Sequence, residues 1–456
     1  MRENFNCEFS VELLNKCLAD FNSKKFIYDQ IYDYCILGES DARKNYKNNK
    51  HRSNQKVKTN FIKKFIKEEV SYLLSNRPTY ISKSDNKEAI DFIGKKIGHW
   101  SKNHNKEVLR DLLSYGSVFE LYYVSKKEIA GKKEYLFNLE IISPREGYAL
   151  YNDNKEIILF MRFFKKKFDE TQYIDVYSKN KIYHFKDGWV EDKPPTVNIF
   201  KEVPVVEGKV SKYKDADTLF NDIRDLQDAY ETNLSDIVNE ISDYRLAYLL
   251  ALGCSLKPED IEELKAKGII NTESKDVTFK FLTKDINDTF VQNTLSTLKK
   301  NIYEISNHLD TNEKLQSNTS GSALRNRLIG LEQRVRDSEG CMQDIIIHRI
   351  YFMFKLFNKT EKTKFDFRDI QAKFTLNIPQ DDVLTAQVLS QMGIGENISL
   401  DTALAQLSFV NNVEREKNLI KKNKEEIADE IDLDKVNTHT ETVIEEGAED
   451  ERWRVY

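Results

Sequence analysis

The chain has 456 residues, and its 70 Lys and Arg against 75 Asp and Glu leave a formal charge of −5. Charged residues make up 32% and hydrophobic residues 40%, against about 25% and 45–50% in ordinary globular domains, so much of the surface should be wet or partner-facing. An aromatic share of 11% excludes wholesale disorder, and the near-balanced charge argues against a generic polyanion binder.

The length suggests about three domains. Residues 9–37 carry a helical period through Phe9, Leu13, Leu14, Cys17, Leu18, Phe21, Phe26, Ile27, Ile31 and Tyr34, and Gly38 stops it. Residues 43–60 are basic and poor in apolar side chains, which predicts a loop. A helix over 61–74 ends at Asn76-Arg77-Pro78. One further helix is expected from Glu88 through Trp100 to Leu113. From Tyr115 the period changes to short Val, Ile, Tyr and Phe runs at 118–124, 135–142, 156–164, 173–177 and 181–185, an antiparallel β region that should close at Pro194-Pro195 and Val203-Pro204.

Helical spacing returns with Leu219, Ile223, Leu226, Tyr230, Leu234, Ile237 and Ile241. A small module follows: a strand at 246–252, a short helix opened by Pro258, and a strand at 277–282. Val291, Leu295, Leu298, Ile302, Ile305 and Leu309 mark a return helix, and 310–322 is polar. The longest helix candidate runs over 323–357, roughly 50 Å at 1.5 Å per residue. A strand at 373–377 precedes Pro379, and helices are expected at 383–392, 400–408 and 412–428. The acidic, aperiodic residues 429–456 read as a disordered tail.

Several chemistries lack their residues. There is no GxxxxGK[ST] loop, no GxGxxG after a strand, no HExxH and no GxSxG. Five cysteines, Cys7, Cys17, Cys35, Cys254 and Cys341, are odd in number and include no CxxC. They fit a reducing site of folding rather than a disulfide framework or zinc site. No apolar run approaches the about 20 residues that span a bilayer, so the expectation is a soluble protein with no membrane contact, no cofactor and no metal. His99 and His104 lie off the i, i+4 spacing of a paired ligand and read as surface histidines. The carboxylate pairs Glu39/Asp41 and Asp381/Asp382 keep a metal-dependent nuclease open as an alternative. A helical scaffold or adaptor protein is a second alternative.

The order of elements and several phrases resemble the portal proteins of tailed double-stranded DNA phages, the siphophage type. The phrases are Asn60-Phe61-Ile62-Lys63-Lys64, Tyr72-Leu73-Leu74 and Arg77-Pro78-Thr79-Tyr80; Tyr115-Gly116-Ser117-Val118-Phe119-Glu120; Ile142-Ser143-Pro144-Arg145 with Tyr151-Asn152-Asp153; and Val203-Pro204-Val205-Val206. Further along come Asp225-Leu226-Gln227-Asp228-Ala229-Tyr230, Leu234-Ser235-Asp236, Thr319-Ser320-Gly321-Ser322-Ala323-Leu324 and Phe374-Thr375-Leu376-Asn377-Ile378-Pro379. Departures are Asn76 where the family often has glycine, Gly208-Lys209 in place of an Asn pair, and no paired glycines before Ser320.

The resemblance implies an α+β, predominantly helical fold with portal-type wing, stem, clip and crown and a long spine helix. It implies a wing at 1–215, stem helix 1 at 216–244, a clip at 245–289, stem helix 2 at 290–309, a tunnel loop at 310–322, the spine helix and returning wing strand at 323–379, crown helices at 380–428 and the tail at 429–456. It implies no catalysis. Instead a homo-oligomeric ring, usually of twelve subunits in the family, conducts double-stranded DNA at one capsid vertex of the virion during packaging and ejection. It assembles in the host bacterial cytoplasm. The implied partners are the terminase large subunit, major capsid and scaffolding protein, and a head-completion or adaptor protein. On that footing the candidate DNA contacts are Lys314, Gln316, Ser317 and Asn318. The candidate clip contacts are Lys257, Glu259, Glu262, Glu263 and Lys265. The candidate stem interface is Leu219, Ile223, Leu226, Tyr230, Leu295, Leu298 and Ile302. The basic stretch from Arg43 to Lys58 is expected to be an outer loop meeting capsid or scaffold.

Overall fold

Helix α1, Val11–Tyr32, starts where the Ser10 hydroxyl accepts a hydrogen bond from the Leu13 amide at 3.2 Å. The computed structural model describes residues 7–47, 53–97, 103–129, 132–211, 215–244, 248–252, 257–259, 262, 277–282, 288–310, 327–376, 382–407, 410, 413 and 416–423. The chain divides into two compact units, one built from residues up to 310 and from 327 to 376, the other from 382 onward.

In the first unit α1 buries Leu14, Cys17, Phe21, Tyr28 and Ile31, one face of a helix. That face lies on a five-stranded antiparallel sheet in the order β4-β5-β6-β7-β8: β4 Gly147–Tyr151, β5 Ile157–Phe164, β6 Tyr173–Tyr177, β7 Lys181–Lys186 and β8 Val190–Val197. Leu159, Met161, Phe163, Ile174, Val176, Tyr183 and Phe185 supply the sheet side of this core, and Phe21 stacks on Phe163 at 4.2 Å between centroids. After Tyr32 the chain widens into a π-helical turn, Asp33–Leu37, and leaves through Gly38 at φ 68°, a left-handed conformation that glycine adopts without steric cost.

The stretch expected to be one helix from 88 to 113 is two: α4, Lys87–Ile97, and α5, His104–Tyr115. Asn103 stands just outside α5, a short polar residue that favours helix boundaries over interiors. Strands β2, Ser117–Ile129, and β3, Lys132–Ile142, form a long hairpin, and β9, Val205–Lys209, pairs with the root of β2 to give the order β3-β2-β9. Pro194-Pro195 does not close the β region. Both prolines lie inside β8, an edge strand, where a missing N–H breaks no interior ladder. The returning strand is also displaced. β12 is Ile370–Lys373, not 373–377, and pairs with β1, Thr79–Ser82, whose four residues set the length of the ladder.

Helices α6, Leu219–Tyr244, and α7, Asp288–Ile305, flank the antiparallel pair β10, Tyr248–Leu252, and β11, Thr278–Leu282. Helix α8, Ile329–Thr360, buries Leu331, Val335, Met342, Ile346, Ile350, Met353 and Phe357 along one face. The earlier α3, Phe61–Leu74, packs against it. Gly208 of β9 meets α8 so closely that a Cβ there would lie 2.4 Å from the Ile345 Cδ1. The second unit contains α9, Asp382–Met392, ended by Gly393 at φ 75°, and α10, Leu400–Ala405, capped by Ser399. The helix expected at 400–408 is thus shorter. Of the one expected at 412–428, residues 416–423 are helical, and 429–456 lie outside the described residues. None of the described helices is long and apolar enough to cross a membrane.

Candidate functional site

Helix α6 presents two different stripes. The apolar one loses its cover along its length. Leu219 and Ile223 are 1% and 0% exposed, Leu226 and Tyr230 are half-buried, and Ile241 is 59% exposed. On α7 Phe290 is 70% exposed, Leu295 and Leu298 are half-buried and Ile302 is 0% exposed, while Ile305 at the end of the helix is 50% exposed. Of the residues expected to meet a neighbouring subunit, Leu219, Ile223 and Ile302 are therefore spent on this chain's own core. Tyr230 also meets Phe61 of α3 edge-on, at 5.4 Å.

The second stripe is polar and buried: Gln227, Glu231, Ser235 and Asn239, each at most 3% exposed and each four residues from the next. Its partner is the basic stretch expected to be an outer loop. Residues 41–45, overlapping the start of that stretch, form a short helix, α2, and residues 53–60 run along α6 in the opposite direction, with Asn60 left-handed at φ 47°. Asn239 Oδ1 accepts from the Gln55 amide at 2.7 Å and its amide donates to the Gln55 carbonyl at 2.9 Å. Ser235 accepts from the Val57 amide at 3.0 Å, Glu231 from the Thr59 and Asn60 amides at 2.8 and 3.3 Å, and Gln227 from the Ile62 amide at 3.3 Å. The match is geometric. Two residues of extended chain advance about 6.6 Å and four residues of helix about 6 Å, so from Gln55 to Thr59 alternate amides meet successive turns of α6.

Lys56 and Lys58 of this stretch, and Lys63 just beyond it, are engaged as well. Lys56 Nζ donates to the Arg43 carbonyl at 2.7 Å, Lys58 Nζ to the Leu37 carbonyl, and Lys63 Nζ to the Ile36 carbonyl at 3.3 Å. Lys58 and Lys63 thus cap backbone oxygens of the π-helical turn and Lys56 one of α2, which is where a patch that looks like a nucleic-acid footprint is used.

Two buried charge clusters hold the helices that flank α6 and α7. Glu120 of β2 is fully buried and receives Arg349 of α8 on both oxygens, at 2.7 and 2.9 Å, with His104 Nε2 at 2.7 Å. His104 is thus a core residue, not a surface histidine. Burial raises the Glu120 carboxyl, and Arg349 and His104 more than offset this, taking it down to about 2. Glu69 of α3, 1% exposed on its side chain, accepts from Arg334 Nε of α8 at 2.9 Å. Burial raises the Glu69 carboxyl against the pull of Arg334, and burial lowers the nearby His308 to about 4. Sequence reasoning missed both carboxylates. The available signal was a lone charge in an apolar phase: Glu120 within Val118-Phe119-Glu120-Leu121-Tyr122, and Glu69 four residues after Phe65.

Lys257, Glu259 and Glu262 are exposed, while Glu263 and Lys265 lie outside the described residues. So do Lys314, Gln316, Ser317 and Asn318. Glu39 lies 3.7 Å from Arg43, an ion pair rather than half of a metal site, and Asp381 lies outside the described residues.

The family model for "Phage portal protein, SPP1 Gp6-like" matches residues 14–430. The chain belongs to this portal protein family. No curated protein matches it. Among solved structures this portal protein is similar to a chain in the neck of an empty GTA particle computed with C6 symmetry, at 8% identity and a TM-score of 0.45 over 75% of this chain and 88% of that one. It is also similar to one in the neck of a native GTA particle computed with C12 symmetry, at 8% identity and TM-score 0.44 over 76% and 88%. A third such chain is in the virion of a native gene transfer agent particle, at 8% identity and TM-score 0.42 over 74% and 87%.

Proposed function

We propose that the chain works as a ring of identical subunits at the portal vertex of a virion, a conduit for double-stranded DNA without catalysis of its own. The observation that carries the ring is the apolar stripe on α6 and α7. On α6 it runs from Leu219 and Ile223, buried in the chain's own core, to Ile241, 59% exposed. A monomer gains nothing from leaving such a stripe in water. In a ring the same surface repeats around the axis, and each subunit covers the next through a heterologous contact that closes.

On this reading α6 and α7 are the stem, and residues 245–289 between them form the clip, whose exposed Lys257, Glu259 and Glu262 meet the terminase motor and later a head-completion protein. Residues 1–215 with 323–379 form the wing and spine, meeting capsid and scaffold. Residues 310–322 face DNA in the channel through Lys314, Gln316, Ser317 and Asn318, and residues 380–428 form the crown. Sparse charge in the channel loop suits a conduit, because duplex DNA carries about one negative charge per 1.7 Å and a strongly basic lining would hold it.

Native mass by light scattering, with negative-stain images of the same sample, tests the ring. Particles of about a dozen subunits with a central hole are expected. A monomer or dimer at every concentration, alone and with scaffold, would return the helical adaptor. Lys314→Glu should impair packaging while leaving rings intact, and equal loss of both would remove residues 310–322 from the channel. Reversing Glu262 and Glu263 together should weaken terminase binding.

A further inference from the structure

One face of the five-stranded sheet lies under α1, and the other is covered by the chain at one end. There Phe160 and Tyr177 pack with Phe119, Leu121, Ile142 and Val205. At the opposite end of the same face, cross-strand pairing lines up Phe164, Tyr173, Lys186 and Val190. Cations lie over this row: Arg162 over Phe164 at 4.8 Å and Lys166 Nζ over Tyr173 at 3.5 Å. Val190 is 56% exposed. The turn from β5 to β6 leaves the sheet at this end and carries Lys165-Lys166-Lys167-Phe168. Phe168 is 96% exposed and left-handed at φ 65°, a conformation that a bulky side chain adopts at a steric cost.

The turn is nonetheless firmly built. Asp169 accepts from the Tyr173 hydroxyl at 2.7 Å and from the Thr171 amide at 2.9 Å. The Asp169 amide donates to the Lys166 carbonyl at 3.1 Å, and Gln172 Nε2 donates to the Phe164 carbonyl at 3.2 Å. A loose tip would relax the backbone and fold the ring away. This one holds an aromatic ring in water on a strained backbone, a combination that points to function rather than to the fold.

We infer that Phe168 anchors a docking surface for another protein, one that offers an apolar pocket rimmed by carboxylates. Rigid aromatic side chains with charged neighbours are the usual anchors of such contacts, and a tip already held in place loses little entropy on binding. Charge selects the partner. Lys165 pairs with Glu170 at 2.8 Å, and Lys166 lies 3.8 Å from Asp192. Among the described residues Lys167 has no ion-pair partner, and its Nζ stands 4.9 Å from the centre of the Phe168 ring. A second copy of this chain is a poorer occupant. Its cavity of about 260 Å³ beside β4 offers Phe21, Phe119 and Leu150 but also Lys24 and Lys209. The two carboxylates there, Asp215 and Glu207, are taken by those lysines and by Tyr151. A lipid surface would have to accept Asp169 and Glu170 along with the ring, at a desolvation cost.

Photocross-linking tests the inference. With p-benzoylphenylalanine in place of Phe168, cells producing the particle are irradiated and the joined peptide is read by mass spectrometry. The expected adduct lies on a different polypeptide, beside Asp or Glu residues. Its yield should fall about tenfold or more when Lys167→Glu is added and return with Lys167→Arg. Phe168→Gly should melt at or above the wild-type temperature, because glycine takes φ 65° without steric cost, yet hold about tenfold less of the same partner. No adduct, or adducts confined to other copies of this chain, would overturn the inference. So would a Phe168→Gly chain that melts lower and keeps its partner, since the ring would then serve the fold. Vesicles of phosphatidylglycerol and phosphatidylcholine that bind the wild type but not Phe168→Gly would give the ring to a membrane instead. The inference stands whether or not the chain forms the ring proposed above, because the cross-link is read on the chain in the cell and the ring on native mass.

Discussion

Arg349 and Glu120, 229 residues apart, face each other as a bidentate ion pair with both side chains at most 1% exposed. The pair joins α8 to β2, and thereby the longest helix to the sheet that leads into α6. The third oxygen contact comes from His104, and Arg349 Nη1 also donates to Asn105 at 2.8 Å, so the carboxylate and the guanidinium are both nearly satisfied.

Removing one partner leaves the other charge buried. Arg349→Met should therefore destabilise the chain by about 3–5 kcal/mol, and Arg349→Lys should recover little of it because a point charge cannot make the fork. Acid should act on the same pair. The folded-state pKa of Glu120, about 2, lies below its ordinary value of 4.5, so the unfolded chain takes up the proton first. Its contribution is complete above about 4.5 and is lost as pH falls toward 2. Thermal unfolding from pH 6 to 2 checks this: the wild type should lose stability across that window, and Arg349→Met should lose less.

The strap on α6 depends most on Glu231, which accepts from the Ser40 hydroxyl, the Thr59 hydroxyl and two backbone amides. Glu231→Ala leaves those donors short of an acceptor, at about 1–3 kcal/mol for a buried unsatisfied group. The expected result is faster trypsin cleavage at Lys56 and Lys58 with little change elsewhere. Unchanged cleavage would mean that Gln227, Ser235 and Asn239 hold the strap without it.

At Gly208 the prediction concerns space. A Cβ would lie 2.4 Å from Ile345 Cδ1, so Gly208→Ala should cost about 1–3 kcal/mol by overpacking. The obstructing atom is the end of a side chain. Ile345→Val removes it, and the double variant should be more stable than the two single losses added together would allow. Strictly additive losses in a chemical denaturation cycle would refute this account.

Ile241 tests the ring without touching the monomer. At 59% exposed it can take a charge in the single chain, so Ile241→Asp should keep the wild-type melting temperature as a monomer and shift native mass away from the ring. Ile223→Asp, at a position buried in the chain itself, should instead unfold it.

His308 gives a second pH signature. Burial, aided by Arg334, lowers its imidazole to about 4 from an ordinary 6.5, so protonation favours the unfolded chain. Stability present above pH 6.5 should decline as pH falls toward 4. The slope of melting temperature between pH 7 and 4.5 should flatten in His308→Asn, and an unchanged slope would assign it to other groups.

Much of the architecture is legible in the residues alone. The spacing of Leu219, Ile223, Leu226 and Tyr230 is enough to mark α6, and Gly38 marks where the first helical stretch stops. The family phrases are legible too, because they are local words. The places that misled are those where distant chain decides. Pro194-Pro195 read as an end because a proline pair breaks an interior strand, but β8 has a free edge. Residues 46–47 and 53–60 do lack helix and strand, as a basic loop would, but their packing on α6 was hidden because their acceptors are invisible from within the segment.

By itself the sequence determined the periods, the turn residues and the family, since each is encoded within a few neighbouring positions. Tertiary structure decided which side of α6 is sealed by the strap and which is left bare, and which of the chain's many carboxylates are buried. Glu69, Glu120 and Glu231 look like any other acidic residue in the chain. What sets them apart is a partner more than a hundred residues away, Arg334, Arg349 or Thr59, and only folding brings those donors within hydrogen-bonding distance while removing the water that would otherwise screen them.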